Sequence, residues 1–413
     1  MAFKRAMYRQ LVSRERPRQK RSEMRLMENG KGVLILSFFF PPEIGGVETH
    51  LNDLCEYLSS TGRRIWVVTF QPLTSRRTGS YVERIGHLTV YRLPSPVHNM
   101  FYRFQSVTWL RFLLLTPLLL LASVVIIAIH RKDIGVIHAH ELNTALAAAF
   151  DSWVFGIMSV ITIHTVQDYI SPTSDAHFHR LARRALSHFD SVMTVSDRIG
   201  AELNRLLSRP ERLHRMTYWI DLSVFSPEEK NKARRKTGLD DRFTVLFVGR
   251  FVEEKGVRLL LEASRRLPRD DISIIFAGEG PMEQEIRNAE KERSNVMCTG
   301  PLSPPELRSY YSASDIVVIP SIYEEGFGRV AMEAIACGTP VIGSARGGIP
   351  EVFDETVGIT FEPDAGALAA VLYRLMHSPE EVERMRSNCR HYAEEHFNVS
   401  NALAVSYAYS RPR

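Results

Sequence analysis

Cysteine is scarce. The chain has four in 413 residues, Cys55, Cys298, Cys337 and Cys389, and none is spaced for a metal site. They read as buried free thiols of a reducing compartment, which excludes a disulfide framework. Charge of one sign is scarce too, outside one tail. The whole chain carries +5, but residues 1–32 alone carry +7, so the rest is near −2. That balance excludes nucleic acid as a partner of the body. Residues 1–30 lack the apolar stretch of a signal peptide. Long apolar runs are also few, and the most apolar is Phe112–Ile129, eighteen residues without a charge.

What remains is ordinary globular composition, 45% hydrophobic and 24% charged, in a chain too long for one core. The fold class is α/β. GVLILSFFF (Gly32–Phe40) reads as a buried parallel strand, Gly45 and Gly46 follow in a loop, VETHLNDLCEYLSS has helical spacing, and RRIWVVTFQ is a second strand. This β-loop-α-β opening is repeated in a second half, where FTVLFVGRF, DISIIFAGEG and DIVVIP read as strands. The expected division is a basic tail at 1–30, a Rossmann-like domain at 31–222, a second at 223–395 and a returning C-terminal helix at 396–413. The linker is placed near Ser223–Thr237. The tail reads as disordered in solution or helical on an anionic membrane.

The most telling stretch is Ser321–Pro350, SIYEEGFGRVAMEAIACGTPVIGSARGGIP. A Gly-rich turn with Gly326 and Gly328 opens a helix, where free N–H groups and the helix dipole favour an anion. Glu325 lies in the turn and Glu333 in the helix. Carboxylates do not suit a phosphate, but they accept hydrogen bonds from vicinal sugar hydroxyls. Phosphate plus sugar means a nucleotide sugar. Spacing alone would equally suit a turn with two solvated glutamates. Arg250 and Lys255, at the end of another strand, supply a planar fork and a point charge that can clamp a diphosphate. Such charge pairs are also common on surfaces.

Taken together, this run resembles the donor-binding signature of the retaining glycosyltransferases of family 4, which have the two-domain GT-B fold. The resemblance implies two Rossmann-like domains facing across a cleft, with the C-terminal helix crossing back to the first. It implies Arg250 and Lys255 at the departing diphosphate, Glu325 on the sugar and Glu333 on the ribose, with Gly249, Glu279, Gly326, Phe327 and Gly328 also lining the donor. In the first half Gly45 and Gly46 match a loop under the donor phosphates. His164 matches a sugar-contacting histidine, and Asn143 and Thr165 fall at acceptor positions. By itself His164 would read as a structural histidine at a strand end. His138 and His140 flank one alanine and could share a strand face, but a metal there would need a third ligand. Where the family has Asn-Gly, this chain has Tyr218-Trp219-Ile220-Asp221, which departs from the pattern.

The chain contains no Asp-x-Asp, the usual signature of metal-held nucleotide sugars. The expected chemistry is therefore metal-independent and cofactor-free, with a UDP- or GDP-sugar as donor. Charge on the leaving diphosphate falls to cations and helix N-termini. A hexose or N-acetylhexosamine would pass, with retention, to a lipid-linked or polysaccharide acceptor. The opening FFFPPEIGGVETH resembles enzymes that glycosylate phosphatidylinositol. The alternatives are a GT-B epimerase, a phosphorylase and a non-catalytic subunit that binds a nucleotide sugar. Phe112–Ile129 meets the length of a membrane span, but it lies between strands that must share a sheet. It reads either as a core helix or as a helix resting in one leaflet. The expected location is cytoplasmic, peripheral or monotopic on the cytoplasmic face of an anionic membrane.

Overall fold

The computed structural model describes residues 31–43, 45–73, 78–95, 108–165 and 176–410, with the side chains of 108–113 and 176–179 excepted. The basic tail at 1–30 lies outside the described residues. By packing, the chain divides into two compact units. The first runs to Val195 and adds Gly200–Met216 and the residues from Ala402 on. The second holds Ser196–Ile199 and Thr217–Asn401.

The first unit contains strands β1 (Gly32–Leu36), β2 (Ile65–Phe70), β3 (Val82–Ile85), β4 (Leu88–Leu93), β5 (Ile134–His140), β6 (Met158–Ile163), β7 (Ser191–Thr194) and β8 (Leu213–Arg215). They form one sheet in the order β3-β4-β2-β1-β5-β6-β7-β8. Only β3 is antiparallel, on β4. The central strands are apolar and fully buried, as strands covered on both faces must be. The helices are α1 (Gly46–Ser60), α2 (Thr108–Ile129), α3 (Leu142–Phe155), α4 (Ala176–Leu186) and α5 (Asp197–Leu206). Helix α5 begins just after Ser196, whose Oγ accepts from Ile199 N–H at 3.3 Å. The first strand is shorter than expected: past Leu36 the chain bends, and Ser37 Oγ donates to Phe39 O at 2.8 Å.

The second unit has β9 (Phe243–Val248), β10 (Ile272–Ala277), β11 (Val296–Gly300), β12 (Ile316–Ile319), β13 (Val341–Ser344) and β14 (Gly358–Phe361). All its pairings are parallel, in the order β11-β10-β9-β12-β13-β14. Its helices are α6 (Lys230–Thr237), α7 (Val257–Ser264), α8 (Glu283–Glu292), α9 (Pro304–Ala313), α10 (Arg329–Ala336), α11 (Ala365–Met376) and α12 (Pro379–His396). Phe247, Phe251, Phe276 and Ile286 centre its core. A short last helix, α13 (Leu403–Ala408), belongs to the first unit.

Three boundaries differ from the sequence reading. The change of unit expected at 222/223 falls at Met216/Thr217. The linker expected near Ser223–Thr237 is in part helix α6. Its charge-rich run is a structural element because Arg234 reaches buried Asp315 at 2.9 Å and Lys230 pairs with the same carboxylate. The return to the first unit comes at Ala402, not 396. Until then the chain stays with the second unit, where Ile220 N–H donates to Phe397 O at 3.1 Å and Asn401 Nδ2 to Tyr218 O at 2.9 Å. After it, Tyr57 Oη meets Ser406 Oγ at 2.8 Å and Tyr409 Oη meets His138 Nδ1 at 2.6 Å.

Candidate active site

In each sheet the strand order reverses beside the first strand of the unit, between β1 and β5 and between β9 and β12. Adjacent connections leave such a point in opposite directions and open a crevice at the carboxyl ends of the strands. The residues singled out from sequence collect there.

In the second unit, β9 ends at Val248 and leads through Gly249 and exposed Arg250 to a short turn, Glu253–Lys255. Strand β12 ends at Ile319 and leads through Pro320 to the acidic loop. The two loops are stitched together. Ile322 N–H donates to Glu254 O at 3.0 Å, and Lys255 Nζ lies 2.8 Å from Glu325 Oε1. Gly256 makes this approach possible. Its φ is +75°, and a Cβ would sit 1.9 Å from Pro320 O, so any other residue would push the loops apart. Burial opposes the Lys255 charge, but Glu325 and Tyr323 outweigh it and the ammonium's pKa is raised. Ser321 Oγ also donates to Glu325.

Helix α10 starts at Arg329, with Gly328 as its N-cap and no side chain capping it. Phe327, beside that cap, is buried edge-to-face on Tyr218, with centroids 5.2 Å apart. Tyr218, Trp219 and Ile220 are all buried. The departure from the family's Asn-Gly therefore fills a packing role under the acidic glycine-rich loop. Glu333 is buried, and both its oxygens are engaged: Tyr311 Oη donates at 3.0 Å and Arg329 Nε at 3.1 Å. Burial raises its pKa against the pull of those two donors. Glu279, by contrast, is exposed, and its carbonyl accepts from Phe251 N–H at 2.8 Å.

Several residues of this site escaped the sequence reading. Gly347 (φ +57°) lets the loop after β13 lie on the acidic loop, because a Cβ there would be 2.1 Å from Glu325 O. Its N–H donates to Glu324 Oε2 at 2.6 Å, and Gly348 N–H to Glu325 O at 2.7 Å. The Arg-Gly-Gly-Ile-Pro run was the available signal. Arg329, Tyr311 and Ser321 carried none, because pairing with a buried carboxylate is decided by the fold.

In the first unit β5, the end of β6 and helix α1 bring four imidazoles together. His138 and His140 share one face of β5, with rings 4.1 Å apart. His138 bonds Tyr409 Oη through Nδ1 and Thr162 Oγ1 through Nε2, at 2.6 and 2.8 Å. His140 Nδ1 meets His164 Nε2 at 3.0 Å with the rings stacked, and the His50 ring lies 5.6 Å from that of His164. One nitrogen of the His140–His164 pair donates and the other accepts, so the accepting ring is neutral. Burial pushes His138 and His164 down to about 3 and His140 well below its usual range. His140 Nε2 has no hydrogen-bond partner among the described residues. Among those residues no group of three His, Cys, Asp or Glu side chains could hold a metal.

Gly45 is extended, and Gly46 begins α1. Asn143 stands at the start of α3, its carbonyl facing the Thr116 hydroxyl, and Thr165 is partly buried just past His164. Glu141, at the end of β5, was not singled out. It is buried with φ +70°, a conformation that costs a non-glycine residue about 1–3 kcal/mol and that clusters at functional sites. Sequence carries no sign of such strain.

Comparison with known proteins bears on the whole chain. The family model for "Glycosyl transferases group 1" matches residues 229–392, and that for "Glycosyl transferase 4-like domain" matches 45–219. An uncharacterised glycosyltransferase of Methanocaldococcus jannaschii is 30% identical over 345 residues, 79% of this chain and 83% of its own length. One subunit of the human phosphatidylinositol N-acetylglucosaminyltransferase is 28% identical, covering 81% of this chain and 66% of itself. Sucrose-phosphate synthase from Thermosynechococcus elongatus superposes with a TM-score of 0.77 at 25% identity, over 92% of this chain and 98% of that one. With its two parallel-sheet units, its acidic Gly-rich loop and these matches, the chain belongs to the group 1, family 4 glycosyltransferases, enzymes of GT-B fold that transfer a sugar from a nucleotide-sugar donor.

Proposed function

We propose that the chain transfers a hexose or N-acetylhexosamine from a UDP- or GDP-sugar to a lipid-linked or polysaccharide acceptor, with retention and without a metal. One observation carries the donor assignment. A charged lysine is held 2.8 Å from a carboxylate in a glycine-lined loop, beside a helix start with no side-chain cap. A bound diphosphate would draw on Lys255, on Arg250 and on the N–H groups at Gly328, which supply positive charge where the leaving group develops negative charge. Glu325 would then turn to sugar hydroxyls and Glu333 to the ribose. His164 would meet the sugar as a neutral ring, held by His140. Asn143 and Thr165 would meet the acceptor. The leaving phosphate would take the acceptor's proton, as the family resemblance implies.

A lipid acceptor is supported by the likeness to the human phosphatidylinositol-directed enzyme. The test is a donor screen on purified protein, reading UDP or GDP release from a panel of nucleotide sugars. Lys255→Ala and Glu325→Gln should each lower turnover ~10²–10³-fold in a protein still folded at the assay temperature, with a lowered melting temperature because the buried partner is left unmatched. EDTA should leave the rate intact. Wild-type rates in the Lys255→Ala variant would overturn the donor site, and loss of activity in EDTA restored by Mg²⁺ would overturn the metal-free chemistry.

A further inference from the structure

Helix α2 is built inside out on one side. It crosses over from β4 to β5, two strands of one sheet, and among the described residues no helix is long and apolar enough to cross a membrane. Yet residues 114–129 carry no charge, and their only polar side chains, Thr116 and Ser123, face inward and are buried. The outward stripe is Leu114, Leu118, Leu121, Val125 and Ile129, between 39% and 66% exposed. Steps of three and four place these five on one side of the helix. A helix facing water carries its polar residues there.

Helix α3 extends this face. Thr116 Oγ1 points to Asn143 O near the start of both helices, and Arg131 reaches Phe155 O at their ends, so the two run side by side in one direction. On α3, Phe150, Trp153 and Val154 are exposed, Trp153 at 75%, while the helix's one acid, Asp151, is buried. Both helices thus turn aliphatic and aromatic groups outward over a surface that water should wet, and a broad exposed apolar patch marks an interaction site.

Cations border it at one end. Exposed Arg131 and Lys132 follow α2 directly. Gly32 N–H donates to Asp133 O at 2.7 Å, so β1 begins beside this same turn. Residues 1–30 hold nine Lys/Arg against three Glu. An uncharged apolar face with a tryptophan and a basic border complements an anionic lipid surface: aliphatic groups enter the acyl boundary, the indole sits among headgroups, and cations meet phosphates.

We propose that the outward face of α2 and α3 docks the enzyme on an anionic bilayer, with Arg131 and Lys132 at its border supplying the electrostatic part of the attachment. This deepens the proposed transfer to a lipid acceptor and rests on that reading. The test is flotation of the full chain with vesicles of phosphatidylcholine, with and without phosphatidylglycerol. Wild type should float with the anionic vesicles, and Trp153 fluorescence should shift to the blue. The triple variant Leu121→Ser, Val125→Ser, Trp153→Ser should lose roughly tenfold or more of the floated fraction. It should keep the wild-type melting temperature and nucleotide release from a soluble donor. Lys132→Glu, a single exposed change, should weaken flotation at low salt and not at high salt. Flotation of the triple variant at the wild-type level overturns the proposal. So does a wild-type dimer that fails to float and becomes monomeric in the triple variant, which would make the face an interface between copies of the chain. Flotation without nucleotide release from any donor would instead sink the transfer reading and leave the docking face standing.

Discussion

The two units answer the same problem differently. Each buries polar groups against a parallel sheet. The first does so with neutral groups: His138, His140 and His164 are kept uncharged by burial and bonded to Tyr409, Thr162 and each other. The second does so with paired charges: Lys255 with Glu325, Arg329 with Glu333, and Arg234 with Lys230 on Asp315. A buried imidazole can shed its proton near neutral pH and avoid the cost of burying charge, whereas a guanidinium cannot and must be matched. The choice fits the ligands proposed for each side. A diphosphate demands fixed positive charge, and a sugar or acceptor hydroxyl is served by neutral donors and acceptors.

The largest break in that comparison should come from the second unit. Asp315 accepts from Arg234 at 2.9 Å and from Thr244 N–H at 2.8 Å, and it pairs with Lys230. Asp315→Ala strands the buried Arg234 and should cost about 3–5 kcal/mol in urea unfolding. A loss under about 1 kcal/mol would mean that the pairing is not what holds α6 to the sheet.

Acid should act on the other unit. In the unfolded chain these histidines titrate near 6.5, and in the fold His138 and His164 titrate near 3. The stability tied to their neutral forms is whole above pH 6.5 and is lost as pH falls toward 3, at about 1.4 kcal/mol per histidine per pH unit. Hydrogen exchange at pH 7 and pH 5, corrected for intrinsic rates, should show β5 and β6 amides losing protection while β9 and β10 keep theirs. Equal loss in both sheets would erase the contrast.

The smallest expected effect sharpens the role of the C-terminal return. Tyr409→Phe removes one hydroxyl bonded to His138 at 2.6 Å. Leaving that buried nitrogen unmatched should cost about 1–3 kcal/mol. Thermal melts should place the loss in the first unit, and nucleotide release in the presence of the donor alone should be unchanged. An unchanged melting temperature would show that the bond from Tyr409 to His138 does not hold the C-terminal return, leaving that to packing and to the Tyr57–Ser406 bond.

Most strands, both Rossmann-like halves and the acidic glycine-rich loop were legible because they rest on local patterns: apolar runs, glycine turns and helix stops. Glu325 and Gly328 could be named because their chemistry and the family motif share one short stretch, and Lys255 because it follows Arg250 at the end of another strand. The partners of Glu333, the strained Glu141, the pairing of α6 with Asp315 and the bond from Tyr409 to His138 were not legible. Each depends on where distant backbone segments meet. Phe112–Ile129 shows the divide most clearly. Its length and lack of charge were fixed by composition, and left a core helix and a surface helix equally open. The sequence already argued against a crossing, because the run lies between strands expected to share a sheet, and β4 and β5 do lie in one sheet. Only the packing on α3 turned Leu115, Leu119 and Ile127 inward while Leu121, Val125 and Ile129 stayed outside, because which side of an all-apolar helix is buried depends on what lies beside it.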